Sequence, residues 1–323
     1  MNLLITGGAG YIGSHTAKAA ARAGYQPVIL DNLERGHEWA VRWGPLVRAD
    51  LGDRAALRRL FNEYKFSAVI HFAALSAVGE SMREAGRYFS NNVGGTLNLL
   101  EAMREVGVNV LVFSSTAAVY GDPIQVPIPE DHPKNPISPY GESKLMVEQA
   151  LRWYAGVHGL SAACLRYFNA SGADPEGETG ESHEPETHLI PLALDASSGR
   201  RPHLDIFGDD YPTPDGTAIR DYVHVSDLAD AHVLAMRRLQ ENPRLLVYNL
   251  GTGHGASVRE VVAEVERVTG RRVPVRVGAR REGDPPVLVA DASRAQSELG
   301  WSPRLSSLGS IVETAARWHD ARI

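Results

Sequence analysis

Tyr140 and Lys144 stand four residues apart in Tyr140-Gly141-Glu142-Ser143-Lys144, a spacing that puts both side chains on one face if the segment is helical. Lysine occurs elsewhere only at Lys18, Lys65 and Lys134, so such a pair is rarely met by chance. On an exposed helix the pair would be worth about 0.2–0.5 kcal/mol and nothing more. In a site it does chemistry. A phenol, ordinarily of pKa about 10, is drawn toward neutrality by a nearby cation and becomes a base able to take a proton from an alcohol. Upstream, Ser114-Ser115-Thr116 closes an apolar run and offers a hydroxyl to relay that proton or orient a substrate hydroxyl. A hydroxyl at such a place also serves as a plain turn or cap.

These groups need a frame, and the first half of the chain reads as one. The apolar, β-branched runs 3–6, 27–30, 46–49, 68–72 and 110–114 read as strands, and 14–23, 54–64 and 92–106 carry helical spacing between them. Continuous rather than alternating hydrophobicity means that both faces of the strands are covered, which predicts an α/β fold with a doubly wound, parallel Rossmann-type sheet. Thr116 then lies at the carboxyl edge, where ligands sit in this architecture. Gly7-Gly8-Ala9-Gly10-Tyr11-Ile12-Gly13 follows the first strand and opens the first helix. Gly7 permits the tight turn, Gly10 the approach of a pyrophosphate, and Gly13 close helix packing, so the turn predicts a dinucleotide site. Asp31 ends the second strand, at the distance expected for the carboxylate that holds an adenosine ribose, and favours NAD over NADP, with Arg35 near enough to weigh against it.

With 323 residues, 43% of them hydrophobic, two linked domains are expected. A net charge of -6 offers no basic surface for nucleic acid or an anionic membrane. No run of about 18 apolar residues occurs and the N-terminus has no basic leader, which predicts a soluble, cytoplasmic protein. Cys164, in an apolar run, reads as a small buried hydrophobe. Segment 172–186, polar and rich in Gly, Glu and Pro, is expected to be a mobile surface loop near a domain boundary. Beyond it, 223–235 and 258–269 read as helices and 245–250 as a strand returning to the main sheet, so a smaller C-terminal substrate domain is expected.

Thr6 to His15, Ser114-Ser115-Thr116, Tyr140-x-x-x-Lys144 and Arg166-Tyr167-Phe168-Asn169 together resemble the extended short-chain dehydrogenase/reductase family, over essentially the whole chain. Within it the sequence is most similar to the nucleotide-sugar 4-epimerases, through His71-Phe72-Ala73-Ala74, Val78-Gly79-Glu80-Ser81, Asn91-Asn92-Val93, Ser143 to Glu148, Arg220 to Val225 and Arg280-Arg281-Glu282-Gly283-Asp284. The resemblance implies an isomerase that interconverts UDP-glucose and UDP-galactose through a 4-keto sugar, with a retained NAD taking and returning the hydride. It implies a cofactor domain over 1–169, to which 219–251 returns, and a nucleotide-sugar domain over 170–323. Tyr140, Lys144 and Thr116 become the catalytic group. Gly7, Gly10, Tyr11, Ile12, Gly13, Asp31, Asn32, Asp50, Leu51, Phe72, Ala73, Asn91 and Tyr167, with Tyr140 and Lys144, are implied to hold the cofactor. Thr116, Tyr140, Asn169, His188, Leu189, Phe207, Arg220, Arg281, Asp284 and Leu288 are implied to hold the UDP-sugar; two guanidiniums suit a diphosphate. A homodimer through helices 92–106 and 140–153 is implied as well, with Val93, Leu97, Leu100 and Met103 among the apolar positions of the former.

Departures from the pattern matter too. Thr116 stands where serine is frequent and keeps the hydroxyl; Ser76 replaces a lysine that touches the cofactor in some members; His188-Leu189 replaces an Asn-Leu pair. His183 and His188, five apart in a polar loop without further identifiable ligands, are expected to face solvent or substrate, and no metal is expected. A 4,6-dehydratase shares the fold, NAD and the Tyr/Lys pair but carries Asp-Glu where Ala117-Ala118 stand. A catalytically silent NAD-binding regulator, the remaining alternative, usually lacks the Tyr or the Lys. The resemblance places Leu288 beside the sugar 2-substituent; leucine there leaves room for an N-acetyl group and offers it an apolar wall but no hydrogen bond, so slower but detectable conversion of UDP-N-acetylglucosamine is expected.

Overall fold

A computed structural model describes residues 1–281 and 283–321, so Glu282 of the arginine-rich run lies outside the described residues. The first half supplies strands β1 (Asn2–Thr6), β2 (Gln26–Asp31), β3 (Leu46–Arg48), β4 (Phe66–His71), β5 (Val110–Thr116) and β6 (Ser161–Tyr167). Between them run helices α1 (Tyr11–Arg22), α2 (Arg54–Glu63), α3 (Val78–Ser81), α4 (Ala85–Tyr88), α5 (Gly95–Val106) and α6 (Pro139–His158). The rest supplies β7 (Asn169–Ser171), α7 (Leu189–Ser197), β8 (Leu204–Phe207), β9 (Ile219–Arg220), β10 (Tyr222–His224), α8 (Val225–Glu241) and β11 (Leu245–Leu250). It ends in β12 (Ala256–Ser257), α9 (Val258–Thr269), β13 (Val275–Gly278), β14 (Val287–Leu288), α10 (Ser293–Leu299) and α11 (Leu308–Ala321).

Among the described residues, seven parallel strands pair in the order β3-β2-β1-β4-β5-β6-β11. Successive residues of each strand bury on opposite faces, as the period of two demands. Leu3, Ile5, Ile70 and Val112 pack with Ala17, Ala20, Leu228 and Met236 of α1 and α8. Leu4, Val69, Leu111 and Phe113 pack with residues of α2, α5 and α6, including Leu57, Leu60, Met103 and Val147. The strand order reverses beside β1, so the loops after β1 and β4 diverge and leave a crevice at the carboxyl ends. A third cluster, with Ile190, Leu194, Val261, Val265, Ile311 and Val312, joins α7, α9 and α11 in the C-terminal part.

Local signals fix the helix ends. Asp53 accepts from the Ala56 N–H to start α2, Ser257 and Glu260 form a reciprocal capping box for α9, and Gly107, Gly159 and Gly270 close helices in the left-handed region. Two expected helices differ at their starts. The segment 92–106 opens with a wide π-turn over Phe89–Gly94 before α5, and Val223 and His224 extend β10 rather than α8.

Segment 172–186 is not the mobile surface loop its polarity predicts. Ala173 and Thr179 are fully buried, Gly180 lies against the Trp318 ring, and buried Lys18 of α1 binds Asp174 at 2.7 Å, Glu176 at 2.9 Å and Glu178 at 2.6 Å. Asp174, Glu176 and Glu178 thus share a lysine more than 150 positions away in sequence, which composition alone does not reveal.

Candidate active site

Three glycines shape the turn between β1 and α1. Gly7 has φ +70°, and a Cβ there would lie 2.5 Å from the Ala73 nitrogen. A Cβ on Gly13 would come within 2.2 Å of the Gly7 oxygen, so only glycine lets α1 rest on the loop. No side chain caps α1, and its first turn opens into a cleft of about 360 Å³ lined by Gly10, Tyr11, Ile12 and Gly13. An uncapped helix N-terminus attracts an anion such as a diphosphate. At the end of β2, buried Asp31 accepts from the N–H groups of Ala9 (3.0 Å) and Leu33 (2.9 Å), which holds Leu33 at φ +61°. Burial pushes the Asp31 carboxyl up, and the two N–H groups offset part of that rise. Asn32 donates to Asp50 at 2.7 Å, and both line the cleft with Leu51, Phe72, Ala73, Asn91 and Tyr167. Arg35 is committed to Glu80, at 2.9 and 3.1 Å, rather than left to meet a ribose 2′-phosphate. The cradle fits a dinucleotide with free ribose hydroxyls.

Thr116 ends β5 nearly buried, its hydroxyl accepting from the Ala118 N–H at 3.1 Å. Ser138 caps α6 by accepting from the Gly141 N–H (3.2 Å), with Pro139 in the first turn, and this start sets Tyr140 and Lys144 on the cleft wall. Lys144 Nζ donates to the Ser114 carbonyl at 2.8 Å and sits 4.9 Å from the Phe113 ring centroid and 6.0 Å from that of Tyr140. Burial pushes the Lys144 ammonium down to about 7. Burial pushes the Tyr140 phenol up, a hydrogen bond with Thr116 pulling the other way. The expectation that the chain's own lysine draws the phenol toward neutrality is therefore corrected: Nζ is aimed at a carbonyl, and the dry site disfavours charge on both groups.

Among the residues expected at the sugar nucleotide, Asn169 and His188 line the same cleft; Leu189, Phe207, Arg220, Arg281, Asp284 and Leu288 do not. Arg220 pairs with Asp284, the Arg281 guanidinium lies 4.0 Å over the Phe207 ring, and Leu288 stands opposite Arg220 in the β14–β9 pairing. Leu288 and the cleft residue Phe168 pack against one small cluster of Val119, Tyr120, Ile128 and Leu145, which joins this second group to the first. Leu189 begins α7 and packs into the C-terminal cluster. The two loop histidines are not alone: Glu181 and Glu186 converge on His183 and His188, against the expectation that no further ligands accompany them.

Comparison with known proteins decides the family. The profile of the NAD dependent epimerase/dehydratase family matches residues 3–251. The chain belongs to that family. It is 50% identical to a UDP-glucose 4-epimerase of Rhizobium meliloti over 321 residues, 99% of this chain and 98% of that one. A crystal structure of UDP-glucose 4-epimerase from Brucella ovis in complex with NAD superposes with a TM-score of 0.96 at 53% identity, covering 98% of each chain. That of UDP-glucose 4-epimerase from Bifidobacterium longum in complex with NAD+ and UDP gives 0.94 at 38% identity, covering 99% of this chain and 98% of that one.

In this member of the NAD dependent epimerase/dehydratase family, several positioning residues escape a reading by motif. The buried Asn92 amide accepts from the Leu75 N–H (2.9 Å) and donates to the Leu75 carbonyl and Ser143 Oγ (3.0 Å each); Ser143 Oγ donates to the Tyr140 carbonyl at 2.7 Å. The turn bearing Tyr140 is thereby tied to the loop after β4. Arg166, its side chain 2% exposed, donates to Glu148 through Nε (2.8 Å) and Nη2 (2.5 Å) and to Tyr120 Oη and the Glu130 carbonyl, each at 2.9 Å. Ser115 donates to the same Glu148 at 2.6 Å, so α6, β5 and β6 are locked together beneath Thr116. Both residues stand inside the motif runs, but only the fold shows what they touch.

Proposed function

We propose that this chain is an NAD-dependent UDP-glucose 4-epimerase, an isomerase that interconverts UDP-glucose and UDP-galactose through a 4-keto sugar. The observation that carries the reading is the meeting of Thr116, Tyr140 and Lys144 with the Gly7–Gly13 turn in one cleft. The fifteen residues assigned to the cofactor, among them Gly10, Asp31, Asn91 and Tyr167, hold NAD there. The chemistry that NAD would supply there is hydride acceptance and return at the sugar's C4, with a positive ring that would favour ionisation of the Tyr140 phenol. Tyr140 takes the proton of the 4-hydroxyl and gives it back, with Thr116 orienting that hydroxyl. Lys144 would anchor the cofactor ribose. Asn169, His188 and Leu189 hold the sugar-nucleotide near the cleft; Arg220 and Arg281 meet its diphosphate, with Phe207, Asp284 and Leu288 around the remainder.

Residues 1–169 with 219–251 form the cofactor domain, and the remainder the substrate domain. The protein works as a homodimer through α5 and α6, whose Leu97, Met146, Trp153 and Val157 are exposed, whereas Leu100 and Met103 face the sheet. Light scattering that reports a lone 35.1 kDa particle at micromolar concentration removes the dimer. Among the described residues, no helix is long and apolar enough to cross a membrane. The activity is tested by incubating the purified protein with UDP-galactose and no added reductant. UDP-glucose is the expected product. A 4-keto-6-deoxy sugar would reveal a dehydratase, and unchanged substrate a silent binder.

A further inference from the structure

Between Gly180 and α7 the chain folds back so that four side chains point at one place. His183 Nδ1 lies 3.1 Å from Glu181 Oε1 and 3.8 Å from Glu186 Oε2; His188 Nδ1 lies 2.5 Å from Glu181 Oε1 and 3.3 Å from Glu186 Oε1. The two imidazole centroids are 5.2 Å apart. Nitrogens and oxygens bound to one tetrahedral ion at 2.0–2.2 Å must lie about 3.3 Å from each other, which is the middle of this set. We propose that Glu181, His183, Glu186 and His188 bind one divalent ion of the zinc class, which clips the 181–188 loop onto the wall of the cleft.

The alternative is that protons on the imidazoles satisfy the carboxylates, and burial of His183 and His188 is indeed outweighed by Glu181 and Glu186, which raise them to about 9 and about 10. The direction of the contacts argues against protons alone. His183 Nδ1 is shut off from water and stands 3.1 Å from one carboxylate oxygen and 3.8 Å from another, poorly aligned with either for a hydrogen bond. A nitrogen that misses its neighbour yet converges with it on a third point has the geometry of a ligand. Two imidazoles and two carboxylates select zinc, cobalt or nickel over magnesium and calcium, which prefer oxygen alone. The only other such grouping among the described residues, Asp174 with Glu176 and Glu178, already holds a cation, the Lys18 ammonium, against all three carboxylates. His183 and His188 both line the cleft, so the ion would fix the wall beside Tyr11, whose ring meets that of His183 edge-on at 6.2 Å.

The proposal does not depend on the catalytic reading, and neither does its test. The intact, chelator-treated protein is equilibrated with zinc chloride at neutral pH, desalted and analysed for metal. One zinc per chain is expected, with a raised melting temperature, and cobalt in its place should show the intense visible absorption of a four-coordinate site. Excess magnesium should not displace either. Because loss of even an outer partner costs about 10–100-fold, His183→Ala and Glu186→Gln should each weaken zinc binding by at least about 100-fold. His203→Ala, at a histidine outside the cluster, should leave it unchanged. Wild-type protein that retains no zinc overturns the proposal, whatever the variants do. So does zinc retention that both variants keep.

Discussion

Lys144 is a charge placed where charge is unwelcome, and replacing it by methionine should make the ligand-free protein more stable. The ammonium is 3% exposed, and burial alone lowers it from 10.5 to about 7. That difference is worth about 5 kcal/mol, the cost of keeping the proton in the fold. The sign follows from proton counting. Between pH 7 and 10.5 the unfolded chain holds this proton and the folded chain does not, so stability rises with pH across that window. Below pH 7 both forms are protonated, and the whole penalty weighs on the fold. Methionine keeps the length of the side chain and removes the penalty, at the loss of the hydrogen bond to the Ser114 carbonyl, about 1 kcal/mol. Nucleotide-free Lys144→Met should therefore be about 2–4 kcal/mol more stable than wild type at pH 7, with the gap nearly closed at pH 10. Urea melts at pH 6, 8 and 10 measure it, with exposed Lys65→Met as control. A variant less stable than wild type at pH 7, or an advantage that stays constant to pH 10, would refute the reasoning. Turnover should collapse in the same variant, the usual relation where a strained polar site is kept for function.

Further outcomes are expected. Tyr140→Phe should keep the fold and the bound nucleotide but lose at least about 10²-fold in turnover, the lower range for an acid/base group; near-normal rates in the purified variant remove Tyr140 from the mechanism. Gly13→Ala puts a Cβ 2.2 Å from the Gly7 oxygen, so the protein should purify without nucleotide, and full occupancy would show that the turn yields more easily than its geometry allows. Glu148→Gln strands the buried Arg166 charge and should cost about 3–5 kcal/mol in urea melts; a loss near zero would mean that water reaches the pair. Leu288→Tyr should suppress conversion of UDP-N-acetylglucosamine and spare that of UDP-glucose, and an unchanged ratio of kcat/KM values places the gate elsewhere.

The elements legible in the sequence are those whose signal is local. The runs 3–6, 68–72 and 110–114 announce buried strands because a parallel sheet covered on both faces leaves no place for alternation. The glycine turn is legible because contacts within a few residues demand it, Gly13 against Gly7 above all. Tyr140 and Lys144 are legible because a helix converts a spacing of four into a common face. Helices α7 and α11 carry the same kind of signal, in Ile190, Ala193 and Leu194 and in Ile311, Val312 and Ala315, although neither is among the expected helices.

What the sequence hides is the satisfaction of polar groups at a distance. Segment 172–186 is as polar as a mobile loop, and polarity alone cannot tell solvent from a buried partner: Lys18 answers three of its carboxylates, and its Glu181 carbonyl accepts from the Trp318 indole N–H at 2.9 Å. The same blindness affects the charge on Tyr140 and Lys144. Their spacing says that they meet, but burial sets the direction in which each titrates, with a Thr116 hydrogen bond acting on Tyr140, and that burial comes from other elements. Glu181 and Glu186 show both effects together. They stand in plain sight beside His183 and His188, yet nothing in a polar loop says that it folds back on itself. The backbone just before them is buried around Thr179 and Gly180, against Ser14, whose hydroxyl bonds that of Thr179 at 2.9 Å, and against Trp318. Contacts made by residues outside the cluster thus help to decide where its four side chains lie.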